Sequence, residues 1–527
     1  MFHNFNFLIL FESLLFVYAS FLAGDMCLRA ARMELSSRLR QSIYSLMVGY
    51  GFLAFTGFLL ALFGFFYAFY LRFVFLLVFI SSAETVASHL KFLIYIVRTR
   101  SLHQVLAFLK ALFRENTLLK VIIALWLLAN LIIVFVPITA TDTLAYHLPI
   151  MFDIITKGKA TFSPGFRYYD TIPVLVEILY AVPMVVFHNM TAPFVFQVLQ
   201  YGVLALFLLL FHDFLRNRVT HKILLPAASI LVLSLFNFQR EIMHGGYIDV
   251  FIFLFGMAST LLILDNTEKT KINRSEFYLS AVMVGLALNM KYLGFFFLIL
   301  NYAIFGIYSL VKKTPFIAIL KDVTRYSLIV IPIAGYWYVR NFFWYGNPVY
   351  PMFSDPEFSH SIGWLIIDRT PLNFLIFPFY RFAARFNDPK NSSSELLVFI
   401  YFALVYALFL FFIKMKKRPP LITVLMFLFL EAYLGFSFLF SHQIRFMLPV
   451  LLMLPLLLVL LIDEVGSFIK YRAGQYAGIC IRKLSLGALY AFALFVFFGN
   501  FHYFHVKFLY ALGVYVEPYY IIKLGSQ

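Results

Sequence analysis

Long apolar runs make up most of the chain, and short polar stretches separate them. Most are near the length of about 20 apolar residues that a helix needs to cross the hydrocarbon core of a bilayer. The pattern predicts an all-α polytopic membrane protein with about 14 transmembrane helices. The predicted spans are residues 5–24, 43–70, 73–97, 121–138, 191–214, 223–240, 250–264, 278–290, 294–311, 326–343, 395–413, 420–440, 447–462 and 484–503.

Lysine and arginine are distributed unevenly between the predicted loops. If the N-terminus is placed outside and the spans alternate, every inner loop carries a cluster of basic residues, as at 29–40 and 414–418. The outer loops carry mostly single basic residues beside helix ends. This is the positive-inside bias of membrane proteins. It accounts for the formal net charge of +17 and predicts a lipid bilayer, and no nucleic acid, as the partner of these charges.

Residues 173–188, PVLVEILYAVPMVVFH, form an exception among the apolar runs. They are short, and they contain two prolines and Glu177. If they crossed the membrane, every later loop would change sides and the charge bias would be lost. The segment is therefore predicted to be an interfacial or re-entrant helix on the outer surface. Residues 142–190 then form one large outer loop, and residues 341–394 form a second.

Few ionisable residues lie beside the predicted outer membrane face, and they collect at helix ends. A charge close to lipid is costly, so such residues usually pair with one another or serve a function. They lie on different segments at a similar depth, which allows them to converge on one cavity. They are Asp142, His147, Arg167, Asp170, Arg240, His244, Asp249, Lys291, Arg340 and Arg445.

Each of these residues also has a purely structural explanation. Asp142 and Asp249 can cap the helices that follow them. His147 is more often an interfacial histidine with satisfied hydrogen bonds than a catalyst, and arginines at a membrane face can extend to headgroups. Lys291 lies in LALNMKYLGF, deeper in an apolar stretch, where the headgroup explanation is weaker. For Asp142, the residues alone leave capping and catalysis equally open.

A series of segments, taken in order, resembles the glycosyltransferase superfamily C (GT-C), which includes the protein O-mannosyltransferases and the lipid A aminoarabinose transferase. The segments are TDTLAYHLP, the amphipathic segment DTIPVLVEIL, YIDVF, GLALNMKYLGF, RNFFWYGNPVYP and SHQIRFMLP. The similarity covers about residues 121–460. The chain departs from the mannosyltransferases at Thr143, where they carry a second acid, and has TIPVL where many relatives have Pro-Pro-Leu.

The resemblance implies a GT-C-like helical bundle with interfacial helices on its outer face. It also implies that the protein moves a sugar from a polyprenyl-phosphate carrier to an acceptor, which is a glycan, a lipid or a protein. The expected location is the bacterial inner (plasma) membrane, with the active site on the periplasmic side. Residues 121–527 form the glycosyltransferase module in this interpretation, and residues 1–120 form an additional N-terminal unit of three helices with no assigned chemistry.

This chemistry needs a base and fixed cations. An acceptor hydroxyl is a weak nucleophile, so a carboxylate placed against it can remove its proton, and Asp142 is the candidate. The carrier phosphate gains negative charge as it leaves, and arginine or lysine can stabilise that charge. The residues predicted to bind the donor phosphate are Arg167, Lys291, Arg340 and Arg445. Those predicted to bind other parts of the substrates are Tyr146, His147 and Asp249.

No cofactor is required for this reaction. Asp142 and Asp249 could share a divalent metal ion together with water molecules. No group of His, Cys and Asp residues has the spacing of metal ligands, and no metal ligand is assigned. Two other functions stay open. A lipid-linked saccharide flippase or transporter would favour charges along both halves of a central pathway. A polysaccharide polymerase or ligase typically needs a large late outer loop, such as residues 341–394.

Overall fold

The computed structural model describes most of the chain. Within the described residues the chain is helical and contains no strand, which confirms the prediction of an all-α protein. The description covers residues 7–98, 117–133, 142–160, 171–187, 193–235, 247–269, 271–352, 354, 368–383, 392–416 and 418–511.

The described helices are numbered here in chain order. They are α1 (Phe7–Ala30), α2 (Arg38–Leu62), α3 (Ala68–Ser81), α4 (Ala83–Arg98), α5 (Thr117–Ile133), α6 (Leu148–Lys157), α7 (Leu175–Phe187), α8 (Pro193–Leu215), α9 (Leu224–Leu233), α10 (Asp249–Thr267), α11 (Arg274–Met290), α12 (Gly294–Val311), α13 (Phe316–Tyr345), α14 (Pro371–Ala383), α15 (Ser392–Lys414), α16 (Leu421–Phe440) and α17 (Leu448–Ala511). A π-helical turn, Thr143–His147, precedes α6, and a 3-10 turn, Ile444–Met447, precedes α17.

Eight of the described helices are long and apolar enough to cross a membrane, and a ninth is added if α3 and α4, bent by 68° at Ser82, count as one broken span. The eight are α1, α2, α8, α10, α12, α15, α16 and the first part of α17. An integral multi-pass protein is therefore supported. The sequence predicts about 14 spans because it also counts α5, α9, α11 and α13, together with the second half of α17.

The last helix differs from the sequence prediction. The sequence predicts two spans, 447–462 and 484–503, with an inner loop between them. Instead, α17 continues without interruption for 64 residues. A continuous helix cannot reverse direction, so the two segments do not form an antiparallel pair of spans. Lysine and arginine, which mark the predicted loop, are good helix formers and do not end a helix.

The short apolar helix α7 lies inside the protein. Its 13 residues span about 20 Å, less than the ~30 Å of a hydrocarbon core. Every side chain from Leu175 to Val186 is buried, whereas an amphipathic helix at a membrane surface exposes one face. Burial on all faces fits the re-entrant alternative and argues against the interfacial one.

The N-terminal helices pack directly against the segments that carry the candidate site. The Phe66 amide donates a hydrogen bond to the Gly158 carbonyl at 2.9 Å, and the Ala160 amide donates to the Ala61 carbonyl at 2.9 Å. Gly57 of α2 faces α7 so closely that a Cβ there would lie 2.9 Å from two of its side chains. The turn between α2 and α3 therefore supports both α6 and α7.

Helices α1 and α2 cross at very short range. A Cβ on Gly24 would lie 1.7 Å from the Ser45 carbonyl oxygen, and a Cβ on Gly49 would lie 1.6 Å from the Ser20 carbonyl oxygen. Small residues allow helix backbones to approach closely in membranes. Neither glycine position has space for a larger residue.

Charged residues occupy both ends of α10. Asp249 begins the helix, and Asp265 lies 16 residues further on, or about 24 Å along its axis. At the Asp265 end, Arg40 Nε lies 2.6 Å from Asp213 Oδ2, and Arg40 Nη1 lies 2.6 Å from Asp265 Oδ2 and 3.1 Å from Glu276 Oε1. This buried network joins α2, α8, α10 and α11 at the end opposite Asp249.

Candidate functional site

A cavity of about 540 Å³ lies at the end of the bundle where α10 begins. The π-helical turn, the junctions α11–α12 and α16–α17, and the residues after α13 form its walls. One side is aromatic, because α12 and α16 contribute Phe295, Phe296, Phe436 and Phe440. The polar side chains that line it are Asp142, Tyr146, Lys291, Tyr292, Ser441, Gln443 and Arg445.

Asp142 and Arg445 form an ion pair at the wall of this cavity. Arg445 Nη1 donates to Asp142 Oδ2, and the Tyr146 hydroxyl donates to the same oxygen at 3.3 Å. Arg445 Nε donates to Gln443 Oε1 at 2.9 Å, which fixes the plane of the guanidinium. Asp142 makes no side-chain hydrogen bond to the start of the following helix. The capping explanation for Asp142 is therefore not supported.

The π-helical turn directs the side chains that follow Asp142 to two different places. The Leu148 amide donates to the Thr143 carbonyl, so the turn contains one residue more than an α-helical turn, a feature that is frequent at functional sites. Asp142 and Tyr146 line the cavity. His147 instead is buried against α7, where its Nδ1 lies 2.6 Å from Glu177 Oε1.

Lys291 and Asp249 form a second ion pair. Lys291 lies in the break between α11 and α12, and its Nζ donates to Asp249 Oδ1 at 2.8 Å. Asp249 is only 1 % exposed, and the residue that precedes α10 as its cap is Ile248. Asp249 also interacts electrostatically with Arg445 and His147. The two ion pairs are thus neighbours and form one cluster of two carboxylates and two cations.

One of the arginines predicted to bind phosphate, Arg340, is not brought to this cluster, and the placement of another is not described. Arg167 lies outside the described residues. Arg340 does not line the cavity: its guanidinium lies over the rings of Trp337 and Trp344, 4.6 Å and 5.1 Å from their centroids. It donates through Nη2 to Asn341 Oδ1 at 2.7 Å. The sequence places Arg340 on α13 but does not reveal which side chains pack against it.

Tyr292 connects this arginine group to the rim of the cavity. Its hydroxyl donates to the Tyr350 carbonyl at 2.7 Å, lies 3.0 Å from the Thr171 carbonyl oxygen, and accepts from Asn341 Nδ2 at 2.7 Å. Burial raises the pKa of the Tyr292 phenol above its usual range, although Arg340 and Asn341 lower it. The phenol therefore stays protonated and holds the cavity rim in place.

The sequence predicts no role for Glu177 in the site. The only signal for it is an acid within an apolar segment. Asp142 and Asp249, the pair considered for a divalent ion, are each bonded to a cation, and the described residues contain no group of three or more His, Cys, Asp or Glu that could hold a metal.

Comparisons with protein-family models, with curated proteins and with solved structures find no match to this chain. The function must be argued from the chemistry of the site. That chemistry consists of two carboxylates, each paired with a cation, beside a cavity with an aromatic wall at one end of the helix bundle.

Proposed function

We propose that the protein is an integral-membrane glycosyltransferase. It moves a sugar from a polyprenyl-phosphate carrier to an acceptor glycan, lipid or protein at the outer face of the inner membrane. The observation that carries this proposal is the cavity in which Asp142, Arg445 and Lys291 meet a wall of phenylalanines. Such a cavity matches a substrate that has an anionic phosphate between a polar sugar and an apolar chain.

The two parts of the cavity suit the two parts of the donor. Phe296 on α12 packs against Phe436 and Phe440 on α16, and Phe295 lines the same cavity. This apolar wall suits the first isoprene units. Arg445 and Lys291 lie at the polar end. Arginine binds phosphate oxygens in a bidentate manner, and lysine adds a second positive charge.

When the donor binds, its phosphate competes with Asp142 for Arg445. The donor phosphate and the Asp142 carboxylate are both ligands for the Arg445 guanidinium. When the phosphate takes this partner, the Asp142 oxygen that accepted from Arg445 is released toward the acceptor. Binding of the donor therefore prepares the base for the acceptor hydroxyl.

The reaction then balances with the residues of this chain. Asp142 accepts the proton of the acceptor hydroxyl, and the acceptor oxygen forms a bond to the anomeric carbon of the sugar. The bond between that carbon and the carrier phosphate oxygen breaks, and its electron pair stays on the phosphate. Arg445 and Lys291 stabilise the charge that develops there.

A transporter is the main rival, because charged residues occur at both ends of α10. The residues between the two ends argue against a polar pathway. The Ser259 and Ser280 hydroxyls lie 2.8 Å apart. The Tyr326 hydroxyl lies 2.9 Å from the Ser280 hydroxyl, and Asn301 Nδ2 donates to the Ser259 hydroxyl at 2.7 Å. All four side chains are buried. Because one lies on each of the helices α10 to α13 and they bond to one another, they hold these helices together and do not line an open pathway.

The test uses the full protein in liposomes. The donors are undecaprenyl phosphate esters of radiolabelled mannose, glucose, galactose and 4-amino-arabinose, with a total membrane extract as the acceptor. We expect release of at least one sugar from its carrier, and loss of this activity in Asp142→Asn. Asp153→Asn is the matched control, since Asp153 pairs locally with Lys157 on α6.

Three results would count against the proposal. If no sugar leaves its carrier and bare undecaprenyl phosphate does not bind, the assignment is refuted. If the labelled lipid crosses the bilayer without cleavage, the protein is a transporter. If Asp142→Asn and Asp153→Asn retain equal activity, Asp142 is not the base.

A further inference from the structure

Lys291 lies in a short break between two helices. Helix α11 ends at Met290 and α12 begins at Gly294, and the backbone of Lys291 is extended, with φ −168° and ψ 157°. The Lys291 amide donates to the Ala287 carbonyl at 3.2 Å, and the Lys291 carbonyl accepts from the Gly294 amide at 3.0 Å. The direction of the Lys291 side chain therefore depends on how the last turn of α11 is held.

The first residue of α12 rests directly on this last turn. A Cβ on Gly294 would lie 2.6 Å from the Leu288 backbone nitrogen and 2.7 Å from the Ala287 carbonyl carbon. Both distances are shorter than a van der Waals contact, so no residue larger than glycine fits here. Because the two helix ends touch through their backbones, a shift of the last turn of α11 also moves the break that carries Lys291.

Three side-chain hydrogen bonds hold the last turn of α11 against α13. Asn289 is 1 % exposed, and its Nδ2 donates to the Ile333 carbonyl at 2.6 Å. Its Oδ1 accepts from Trp337 Nε1 at 2.8 Å. The Tyr338 hydroxyl donates to the Leu288 carbonyl at 2.9 Å. Asn289 thus joins the two helices through both a donor and an acceptor of its amide, two residues before Lys291.

We propose that Asn289 is a positioning residue for Lys291, and its effect on donor binding rests on the proposed function. Asn289 does not line the large cavity, so it acts through the backbone and not by contact with a substrate. It fixes the end of α11 relative to α13, and this places Lys291 Nζ 2.8 Å from Asp249 Oδ1 on α10. The cation is thereby held at the cavity wall before the donor binds.

The position of Lys291 can be tested without any assumption about the reaction. The wild type and Asn289→Leu, in nanodiscs and bound to an antibody fragment, are imaged by cryo-electron microscopy at a resolution that shows side chains. Leucine is similar in size to asparagine but neither donates nor accepts a hydrogen bond. We expect the contact between Lys291 and Asp249 in the wild type and its loss in Asn289→Leu. The same contact in both proteins overturns the proposal, whether or not a sugar is transferred.

Asn301→Leu is the matched control. Asn301 is also 1 % exposed, and its amide likewise donates and accepts, with Ser259 Oγ at 2.7 Å and Thr260 Oγ1 at 2.9 Å. It lies seven residues after the start of α12, or about 10 Å along the helix. We expect a similar drop in melting temperature but an intact contact between Lys291 and Asp249. Loss of that contact in Asn301→Leu as well would mean general loosening of the bundle and would overturn the proposal.

The consequence for the donor is measured as the affinity for undecaprenyl phosphate in nanodiscs. Asn289→Leu is expected to lower this affinity about tenfold, in the range of one hydrogen bond to a charged group. Trp337→Phe removes only the Nε1 donor and keeps an aromatic ring below Arg340, so we expect a smaller loss of about threefold. In a Lys291→Ala background each change is expected to have less than about a twofold effect.

The double-mutant cycle separates positioning from packing. An equal loss of affinity in both backgrounds would mean that Asn289 acts on packing alone, and no loss in either would also overturn the proposal. If Asn289→Leu does not fold, the same comparison is made with Trp337→Phe. A wild type that binds no undecaprenyl phosphate, together with loss of the Lys291–Asp249 contact in Asn289→Leu, would refute the proposed function and support the positioning of Lys291 by Asn289.

Discussion

Arg445 is bonded to Asp142 although 303 residues separate them in the sequence. The pair joins the π-helical turn before α6 to the 3-10 turn before α17 and closes one wall of the cavity. Each residue is only partly exposed, at 21 % and 27 % of its side chain. The carboxylate assigned to the acceptor and the guanidinium assigned to the donor are therefore held against each other before either substrate binds.

Asp142→Asn should separate catalysis from folding. The amide cannot take the acceptor proton, so we expect turnover to fall by roughly 10²–10⁴-fold. The lost ion pair is partly exposed, and the free energy of unfolding should fall by less than about 1 kcal/mol. Sugar transfer and thermal unfolding are measured on the same preparations. A stable variant with near wild-type turnover would redirect attention to Asp249.

Arg445→Ala should weaken binding of the carrier phosphate. We expect a loss of about 1.5–3 kcal/mol, the range for a hydrogen bond to a charged group, and only partial recovery in Arg445→Lys, because lysine lacks the planar fork of donors. The measurement is the affinity for undecaprenyl phosphate in nanodiscs. Equal affinity in the wild type and Arg445→Ala would exclude Arg445 from the phosphate site.

Arg340→Lys gives a contrasting prediction. The sequence groups Arg340 with the phosphate-binding residues, but its guanidinium lies over Trp337 and Trp344. Lysine keeps the charge and loses the planar contact, so we expect a stability loss of about 1 kcal/mol with unchanged affinity for undecaprenyl phosphate. A drop in affinity comparable to that of Arg445→Lys would restore the sequence prediction.

Arg40→Ala should affect stability rather than the site. Removing this arginine leaves three buried carboxylates without their shared cation. Each of them keeps one other cation, from Arg216, Arg218 or Lys269, so we expect a loss of about 3 kcal/mol, the low end for a broken buried pair. Arg29→Ala is the control, since Arg29 is half exposed and pairs with Asp25 one turn earlier on α1. Thermal unfolding in detergent is the measurement. Equal melting temperatures for the two variants would contradict the buried-network interpretation.

Topology can be checked with single cysteines in a background without native cysteines. If α7 does not cross, Thr156→Cys and Thr191→Cys react with an impermeant maleimide from the same side. If α17 crosses only once, Ala511→Cys at its C-terminal end reacts from the side opposite to Thr156→Cys, whereas two antiparallel spans would bring it back to the same side. Labelling of Thr156→Cys and Thr191→Cys from different sides would show that residues 173–188 cross the membrane.

Several parts of the fold were predictable from hydropathy alone. The predicted span 294–311 matches α12 at both ends, and 420–440 differs from α16 by one residue. These helices are bounded by strong signals, a Lys-Lys pair after α12 and two prolines before α16. The uninterrupted α17 was not predicted, because hydropathy measures apolarity and not helix continuity.

The site was predictable only in part. Asp142, Lys291 and Arg445 stand out because they are charged residues beside apolar runs, and the structure places all three on one cavity. Their partners could not be assigned, since pairing depends on how distant helices pack. Glu177 and His147, 30 residues apart, meet only because α7 folds back against the π-helical turn, and no periodicity in either segment indicates that contact.

The glycine contact between α1 and α2 also bears on the order of assembly during synthesis. Both helices precede the other described helices in the chain, and their backbones approach closely at Gly24 and Gly49. We expect them to pair as a hairpin as soon as both have entered the bilayer. The surface of α2 that carries Gly57 is then already in place when α7 is synthesised, so the α1–α2 pair provides a surface against which α7 packs.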